Sequence, residues 1–371
     1  MREIADKTNT TDENSSLVGA VHIVIVGAGV AGLTCARRLI YLLKKRAHQI
    51  TVLEARDRVG GRTLSIPELN LDMGASWNFP YHIATRSLAQ ELNIGTIEQF
   101  ESGMSLVNTG SSGVQRMNIE SGCGDLKRLK GGTGSLCAAM LNELTTQQQR
   151  TVTVQLNSPV TGIVYQNDRT ILITLRENRS ILADYVVLAL PPKLLISTIQ
   201  LTPPLSSSID KQLSECITWM GSMCKIILVY DRAWWRDENL SGFAVSRRSR
   251  TQEWHDASSD TCNALFAFCM PGTTKQQMID DTVHVFGEKA QNPIDVYMID
   301  WSQEQFTSHS PNDGINGHRH VSDACRKALW DGRLWLGNSE VNDRDAGVLE
   351  GAVRRGIEVA EQLTAMIATN N

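Results

Sequence analysis

The segment from Val21 to Thr63 constrains the fold of this chain more than any other part of the sequence. It begins with an apolar run, Val21 to Val26, whose pattern predicts a buried parallel strand. A helix predicted from about Ala31 to Lys45 follows, and then a second strand from Ile50 to Leu53. Strand, helix and strand in this order predict the βαβ unit of a doubly wound α/β domain.

Three glycines between the first strand and the helix have the spacing G-x-G-x-x-G of a dinucleotide-binding turn. Gly27 permits the tight turn, Gly29 lets a pyrophosphate approach the backbone, and Gly32 lets helix and strand pack closely. The pyrophosphate charge is stabilised by the free N–H groups and the positive dipole end of the helix. Glu54 ends the second strand, where a carboxylate accepts hydrogen bonds from ribose hydroxyls. We therefore expect dinucleotide binding; the alternative is a glycine-rich turn in another kind of α/β protein.

Composition places the chain among ordinary globular proteins. Its 371 residues are enough for two domains, and its 42% hydrophobic and 20% charged content argue against overall disorder. The net charge of −4, with no basic run among aromatic residues, argues against nucleic acid and anionic membranes as partners. No apolar run has the length of a membrane span.

The amino-terminal residues and the cysteines bear on location. Residues 1–19 are polar, lack the apolar core of a signal peptide, and are expected to form a disordered arm. Eight cysteines are present, Cys123 and Cys325 among them, but none forms a C-x-x-C pair or has zinc-ligand spacing. We expect free thiols in a reducing, cytoplasmic compartment and no metal site.

Lys225 is the residue most indicative of chemistry outside the first segment. It lies in an apolar run predicted as a strand from Ser222 to Tyr230 and buried on both faces. A lysine there costs free energy unless something pairs with it, and burial lowers the pKa of its ammonium group. The alternative is an edge-strand lysine whose ammonium group reaches solvent.

The residues after Glu54 read ARDRVGGRT, and this run resembles the flavin amine oxidase family, which includes monoamine oxidases, polyamine oxidases and L-amino-acid oxidases. Further segments resemble elements of that family in the family's order: Asp72–Trp77, the glycine pair within Leu129–Leu136, the strand ending in Pro191 and Pro192, and Gly337–Val353. The resemblance covers most of one domain and only patches of the other.

The resemblance implies non-covalent FAD in a Rossmann-like α/β domain with a parallel sheet, interleaved with an α+β substrate domain on a mixed sheet. The FAD domain would comprise residues 20–77, 130–196 and 325–371, and the substrate domain residues 78–129 and 197–324. The implied FAD-binding residues are Gly27, Gly29, Val30, Ala31, Gly32, Glu54, Ala55, Arg56, Gly61, Arg62, Gly74, Ala75, Ser76, Trp77, Val160, Gly337, Glu340, Gly347, Val348 and Leu349.

The family also implies the reaction. Gly221, Lys225 and the pair Trp234-Trp235 match a family pattern whose lysine holds a water molecule near flavin N5. An amine or amino acid would transfer a hydride equivalent from its α carbon to flavin N5, giving an imine. Dioxygen would then reoxidise the flavin and give hydrogen peroxide.

The substrate pocket departs from the family. Val348 stands where relatives that oxidise simple amines have an aromatic residue, and only about fifty residues separate Trp77 from Gly131. The site is therefore expected to be more open than in larger relatives, or to be completed by a second subunit, as in a homodimer. Pocket residues expected from the resemblance are Phe79, His82, Trp301 and Phe306, although a structural role remains an alternative for the last three. Arg86 and Arg247 are candidates, by region, to bind a substrate carboxylate.

Two further functions stay open at this point. One is a flavin desaturase or dehydrogenase that acts on a C–C or C–O bond on the same scaffold. The other is a protein that binds FAD, has lost catalysis and serves in interactions.

Overall fold

A computed structural model describes residues 20–110, 112–119, 125–146, 151–307 and 320–369, so the predicted arm 1–19 and Cys123 lie outside the described residues. The strands are β1 Val21–Val26, β2 His48–Leu53, β3 Ser65–Ile66, β4 Leu71–Asp72, β5 Thr96–Glu98, β6 Met104–Asn108, β7 Gln115–Met117, β8 Lys127–Leu129, β9 Val152–Gln155, β10 Val160–Tyr165, β11 Ile171–Leu175, β12 Ser180–Ala183, β13 Tyr185–Leu188, β14 Gln200–Thr202, β15 Cys224–Tyr230, β16 Leu240–Ser246, β17 Thr251–Asp256, β18 Asn263–Cys269, β19 Asp295–Asp300 and β20 Leu334–Leu336. The helices are α1 Val30–Leu43, α2 Ile83–Glu91, α3 Gly134–Thr145, α4 Pro192–Thr198, α5 Ser207–Ser214, α6 Trp234–Asp237, α7 Lys275–Phe286 and α8 Leu349–Thr369.

A five-stranded parallel sheet, in the order β20-β13-β1-β2-β9, contains the predicted βαβ unit. Residues of α1, α3 and α8 cover one face of this sheet, and residues of the sheet β12-β11-β10-β14 pack on the other. Both faces of β1 are therefore buried, which explains its uninterrupted apolar sequence.

The glycines of the first turn act as the sequence predicts. Gly27 has a φ of 108°, which favours glycine. A Cβ atom on Gly32 would lie 2.0 Å from the carbonyl oxygen of Gly27, so no larger residue fits between β1 and α1. Gly356, on α8, has a similar role where that helix crosses α1, because a Cβ atom there would lie 2.5 Å from the Ala31 carbonyl oxygen.

A seven-stranded mixed sheet, in the order β19-β15-β18-β17-β16-β6-β7, forms the second large layer. Its strands pair antiparallel except β16 and β6, which are parallel. Three tryptophans, Trp234, Trp235 and Trp254, lie in a core on this sheet that also includes residues of α7.

Strand β15 is an inner strand, hydrogen-bonded to β18 on one side and β19 on the other. All seven of its residues are buried, including Lys225, which is 2% exposed. The alternative of an edge-strand lysine that reaches solvent is therefore wrong.

Most predicted elements are present with ends shifted by one or two residues. The segment predicted as one strand ending in Pro191 and Pro192 instead contains two strands, β12 and β13, separated at Asp184. The backbone N–H of His22 donates to the Asp184 carboxylate at 2.8 Å, so this residue pairs with β1 at the point where the chain changes sheet. None of the helices in the described ranges has the combined length and apolarity of a membrane span.

Candidate active site

A cavity of about 600 Å³ is lined by loops and strand ends of the parallel sheet and by one face of the seven-stranded sheet. Its volume is typical of a site for a small molecule or cofactor. Of the residues predicted from the sequence, those that line it are Gly27, Gly29, Val30, Ala31, Glu54, Ala55, Arg56, Gly61, Arg62, Gly74, Ala75, Ser76, Trp77, Phe79, His82, Val160, Lys225, Trp301, Phe306, Gly347, Val348 and Leu349.

The start of α1 forms one end of the cavity. A Cβ placed on Gly29 would make only an ordinary contact, with the Gly60 carbonyl oxygen at 3.9 Å, and Gly29 lines the cavity. The first N–H groups of a helix have no partner within the helix, and the helix dipole is positive there. This end can therefore hold an anionic group against the backbone.

Glu54 lies beside this helix start, buried but lining the cavity. Its carboxylate accepts hydrogen bonds from the backbone N–H groups of Ala28 at 2.9 Å and Arg56 at 3.0 Å. A carboxylate has about four acceptor positions, so Glu54 can still accept hydrogen bonds from sugar hydroxyls.

Arg62 and Arg58 have different roles. Arg62 lines the cavity, and its guanidinium forms an ion pair with Glu340 at 2.7 Å and a hydrogen bond to Ser339 Oγ at 3.2 Å. Glu340 itself is buried outside the cavity lining, so it positions Arg62. Arg58 instead donates to the carbonyl oxygens of Val59 and Gly61 and so stabilises the loop.

Two other predicted residues, Gly32 and Gly337, also lie outside the lining. Gly32 packs on the first turn, and a Cβ atom on Gly337 would lie 2.6 Å from Cγ1 of Val187. Both glycines therefore allow close packing behind the cavity.

Phe306 lies at the Glu54 end of the cavity. Its ring is flanked by the guanidinium groups of Arg56 at 5.6 Å and Arg176 at 5.9 Å. Arg56 in turn lies 3.7 Å from Glu54 and donates to Thr307 Oγ1 at 2.7 Å. The structure thus groups Phe306 with the predicted cofactor residues rather than with Lys225.

Lys225 lies at the other end of the cavity. Its Nζ donates to the Gly74 carbonyl oxygen at 3.0 Å and to Ser76 Oγ at 2.5 Å, and it lies 4.1 Å from the centre of the Phe266 ring. Burial lowers the pKa of Lys225 to about 7, although Asp72 acts in the opposite direction. Both protonation states of this lysine are accessible near neutral pH.

The register of the seven-stranded sheet places Glu253 on the same face as Lys225. Lys225 is paired with Phe268 on β18, which is paired with Glu253 on β17, so the three side chains share one face and line the cavity. Neighbouring strands are about 4.8 Å apart, which places Glu253 about 10 Å from Lys225 across the sheet.

His255 lies two residues further along β17, on the same face as Glu253. Its Nε2 lies 2.7 Å from Glu253 Oε1, its ring packs on Phe266 at 5.1 Å, and Trp77 meets it edge-on at 4.7 Å. The pKa of His255 is lowered by burial, and the opposing effect of the Glu253 carboxylate is smaller. Glu253 is thus held by His255 beside the aromatic rings of Phe266 and Trp77.

The remaining predicted pocket residues line the cavity near its loops. His82 immediately precedes α2, its Nδ1 accepts a hydrogen bond from the Phe79 N–H at 3.4 Å, and burial lowers its pKa. Trp301 Nε1 donates to the Met73 carbonyl oxygen at 3.0 Å. Arg86 and Arg247 do not line the cavity, and Arg86 donates to the Pro80 carbonyl oxygen.

Sequence reasoning missed several lining residues: Arg176, Trp219, Gln252, Glu253 and Phe268. The alternation in Thr251–Asp256 could have placed Glu253 and His255 on one face of a strand. It could not have shown that this face meets the cavity, because that depends on pairing with distant β18.

Comparison with known proteins identifies the family. The family of flavin containing amine oxidoreductases matches residues 30–103 and 97–364. This chain belongs to that family. Membership confirms the predicted family, the FAD cofactor and the class of flavin-dependent amine oxidoreductases.

Individual relatives are distant. The chain is 23% identical to a putrescine oxidase of Kocuria rosea over 77% of this chain and 83% of that protein. It is 24% identical to an L-amino acid dehydrogenase of Synechocystis sp. over 64% of this chain, and the match spans about half (51%) of that relative's length. It is 22% identical to a probable flavin-containing monoamine oxidase A of Dictyostelium discoideum over 92% of this chain and 97% of that protein.

Solved structures confirm the predicted fold class. A putrescine oxidase bound to putrescine has a TM-score of 0.76 at 20% identity, covering 94% of this chain and 100% of that one. Cyclohexylamine oxidase from Brevibacterium oxydans has a TM-score of 0.78 at 16% identity, with 94% and 100% covered.

Proposed function

We propose that this protein oxidises the C–N bond of an aliphatic amine that carries a second cationic group, with dioxygen as the electron acceptor. The observation that carries the proposal is the row Lys225, Phe268 and Glu253 on one face of the seven-stranded sheet, inside the cavity. The amine would lose two electrons and two protons to give an imine, which water hydrolyses. Dioxygen would take up the same electrons and protons as hydrogen peroxide.

The cavity residues fit non-covalent FAD. Gly29 and the start of α1 line the cavity with backbone that can hold the pyrophosphate, Arg62 adds a cation, and Glu54 has acceptor capacity for ribose hydroxyls. When bound, the flavin supplies the two-electron acceptor for the substrate. None of the cysteines that the structure describes lines the cavity, so no thiol in this part of the chain is placed for a covalent bond. Phe306, between two guanidinium groups, is reassigned to this cofactor end.

Lys225 would hold or move a proton at its Nζ atom. The pKa of Lys225 is about 7, so the amine and ammonium forms are both populated at neutral pH. The hydrogen bonds to Ser76 Oγ and to the Gly74 carbonyl oxygen fix the position of the Nζ atom. In this arrangement Lys225 can orient a water molecule for imine hydrolysis or assist oxygen reduction.

Glu253 would bind the second cationic group of the substrate. A carboxylate beside aromatic rings attracts an ammonium group both by its charge and through the ring faces. His255 would hold the carboxylate in place by donating from Nε2 to Glu253 Oε1, in the tautomer that carries the proton on Nε2. Trp77 and Phe268 line the cavity beside Glu253 with their rings in edge-to-face contact, 6.1 Å between centroids, and would give the substrate chain an apolar surface.

An α-amino acid fits this end of the cavity less well. Its carboxylate would need a cation besides Lys225, whose Nζ already donates to Gly74 and Ser76, and neither Arg86 nor Arg247 lines the cavity. Glu253 would also repel a substrate carboxylate at that position.

The test is a peroxide assay with 1,4-diaminobutane, butylamine and L-ornithine as matched substrates. We expect kcat/KM for the diamine to exceed that for butylamine by about 10-fold or more, the size of one charge-assisted hydrogen bond. Glu253→Gln should remove that preference and leave butylamine turnover within about twofold, whereas Glu98→Gln, on exposed β5, should change neither. A diamine preference that persists in Glu253→Gln would refute the assigned role of Glu253. No peroxide with any amine would refute the oxidase function.

A further inference from the structure

The ammonium group of Lys225 is buried without a direct ion pair. Its hydrogen-bond acceptors are neutral, the Gly74 carbonyl oxygen and Ser76 Oγ, and no carboxylate in the described part of the chain lies within 4.0 Å of its Nζ. A buried cation without a counter-charge is costly, so an anion close by is needed to keep the proton on the lysine.

Asp72 is a buried carboxylate at the start of the segment that binds Lys225. It ends β4 and is followed by residues 73–76, which include both acceptors of the lysine. Its Oδ1 accepts three hydrogen bonds, from Ser65 Oγ at 2.6 Å, Thr133 N at 2.7 Å and Thr133 Oγ1 at 3.0 Å. Its Oδ2 is buried and has no hydrogen-bond partner among the described residues.

The position of Asp72 is fixed by its neighbours. The Thr133 hydroxyl lies within hydrogen-bond distance of both Asp72 Oδ1 and the Ala75 carbonyl oxygen, at 3.0 and 2.7 Å, so it links the two ends of the segment. A Cβ atom on Gly132 would lie 2.6 Å from Asp72 Oδ1, which explains why the second glycine of this pair cannot carry a side chain. Gly132 therefore makes room for the Asp72 carboxylate and for Ser65.

We propose that Asp72 is the counter-charge of Lys225, a positioning residue that keeps the proton on the lysine and holds the segment 72–76 that accepts its hydrogen bonds. We expect Asp72 to contact neither the substrate nor the cofactor. It acts through Lys225 and through the backbone that forms the floor of the cavity at Gly74 and Ser76.

Three charged or titratable groups face Lys225 from the elements around it. Asp72 on β4 raises the pKa of Lys225, whereas Arg128 on β8 lowers it, and burial lowers it most. His255 on β17 interacts with Lys225 through space, but its own pKa is lowered, so it is neutral at pH 7. Asp72 is thus the group among these that favours the ammonium form. Burial raises the pKa of Asp72, whereas Lys225 and the hydrogen bonds from Ser65 and Thr133 act in the opposite direction and favour its carboxylate form.

The experiment is an NMR titration of the flavin-loaded protein with lysine labelled at the ε carbon. The wild type should show one lysine that titrates near pH 7, and Lys225→Met should lose that signal. Asp72→Asn keeps the shape and removes the charge, and it should lower the titration midpoint by about one pH unit or more, the usual effect of an adjacent opposite charge. Asp295→Asn, an exposed carboxylate on β19, is the matched control and should leave the midpoint unchanged.

An unchanged or raised midpoint in Asp72→Asn would overturn the proposal. If that variant does not fold, Thr133→Val provides a second test, since it removes one hydroxyl that stabilises the Asp72 carboxylate. It should lower the midpoint by a smaller amount, and no change would again overturn the proposal. The titration needs no substrate, so it can fail while the amine assay succeeds, and the reverse also holds.

Discussion

The five-stranded parallel sheet and the seven-stranded sheet contribute to one cavity in different ways. The parallel sheet contributes mainly backbone, at the glycine turn and the start of α1, with Glu54 at the end of the next strand. The seven-stranded sheet contributes side chains from three strands, which are close only because of the register of β15, β18 and β17. The first region depends on local geometry, and the second depends on pairing between distant residues. Substitutions in the two regions should therefore affect cofactor retention and chemistry separately.

The largest effect is expected at Lys225. Lys225→Met should retain flavin but lower kcat by about 10²- to 10⁴-fold, the usual contribution of a positioned proton-transfer group. Stopped-flow measurement of flavin reduction and reoxidation would show which step is slowed. Unchanged kinetics would remove Lys225 from the mechanism, and loss of flavin would break the separation between the two regions.

Glu350 tests how firmly the start of α8 is joined to α2. This buried carboxylate accepts hydrogen bonds from the backbone N–H groups of Ala84 at 2.9 Å and Thr85 at 2.8 Å, and from the Thr85 hydroxyl. Glu350→Gln should reduce the free energy of unfolding by about 1.5–3 kcal/mol in urea titrations at pH 7. Glu361→Gln, on the exposed side of α8, should change it by less than about 0.5 kcal/mol.

The same residue predicts a dependence on pH. Burial alone would raise the pKa of Glu350, but the hydrogen bonds from Ala84 and Thr85 lower it overall. Glu350 therefore stabilises the folded protein fully at pH values above its pKa in the unfolded chain, about 4.3. This stabilisation is lost as the pH falls through its lower pKa in the folded protein. The difference between wild type and Glu350→Gln should shrink in acid; a difference that grows as pH falls would contradict this account.

Glu54 tests the parallel-sheet region alone. Glu54→Ala should weaken FAD binding by about 10- to 30-fold, because ribose hydroxyls would lose an acceptor in a buried place. Fluorescence titration of the flavin-free protein with FAD measures this directly. Full flavin content after purification and an unchanged affinity would count against the role of Glu54.

The smallest effects are expected at the two arginines once considered for substrate binding. Neither lines the cavity, so Arg86→Ala and Arg247→Ala should each change kcat/KM for 1,4-diaminobutane by less than about twofold. A large rise in KM in either variant would contradict the placement of these arginines outside the substrate site.

The same contrast explains what the sequence could predict. The glycine spacing, the Glu54 position and the segment 72–77 are local patterns, and Gly27, Gly29, Glu54 and residues 74–77 line the cavity in the structure. Lys225 was predictable because a lysine in an apolar strand is unusual. Glu253 was not, because its use depends on which residue of β18 pairs with it and on which face meets the cavity.

Phe306 is a residue that the sequence indicated for the pocket but whose place in the cavity required the structure. Its aromatic character suited a substrate pocket, but the chain after β19 turns toward Arg56 and places the ring at the Glu54 end. The glycine pair at Gly131 and Gly132 was predictable as a family element, whereas the physical reason for Gly132, space for Ser65 and Asp72, required the structure.

Anaerobic addition of 1,4-diaminobutane to the purified protein tests most directly whether an amine reduces the bound flavin. The visible flavin absorbance is followed during the addition. We expect the purified protein to carry flavin and the diamine to bleach it in wild type, with much slower bleaching in Lys225→Met. A protein that purifies without flavin and does not take it up, or a bound flavin that no amine bleaches, would contradict this expectation.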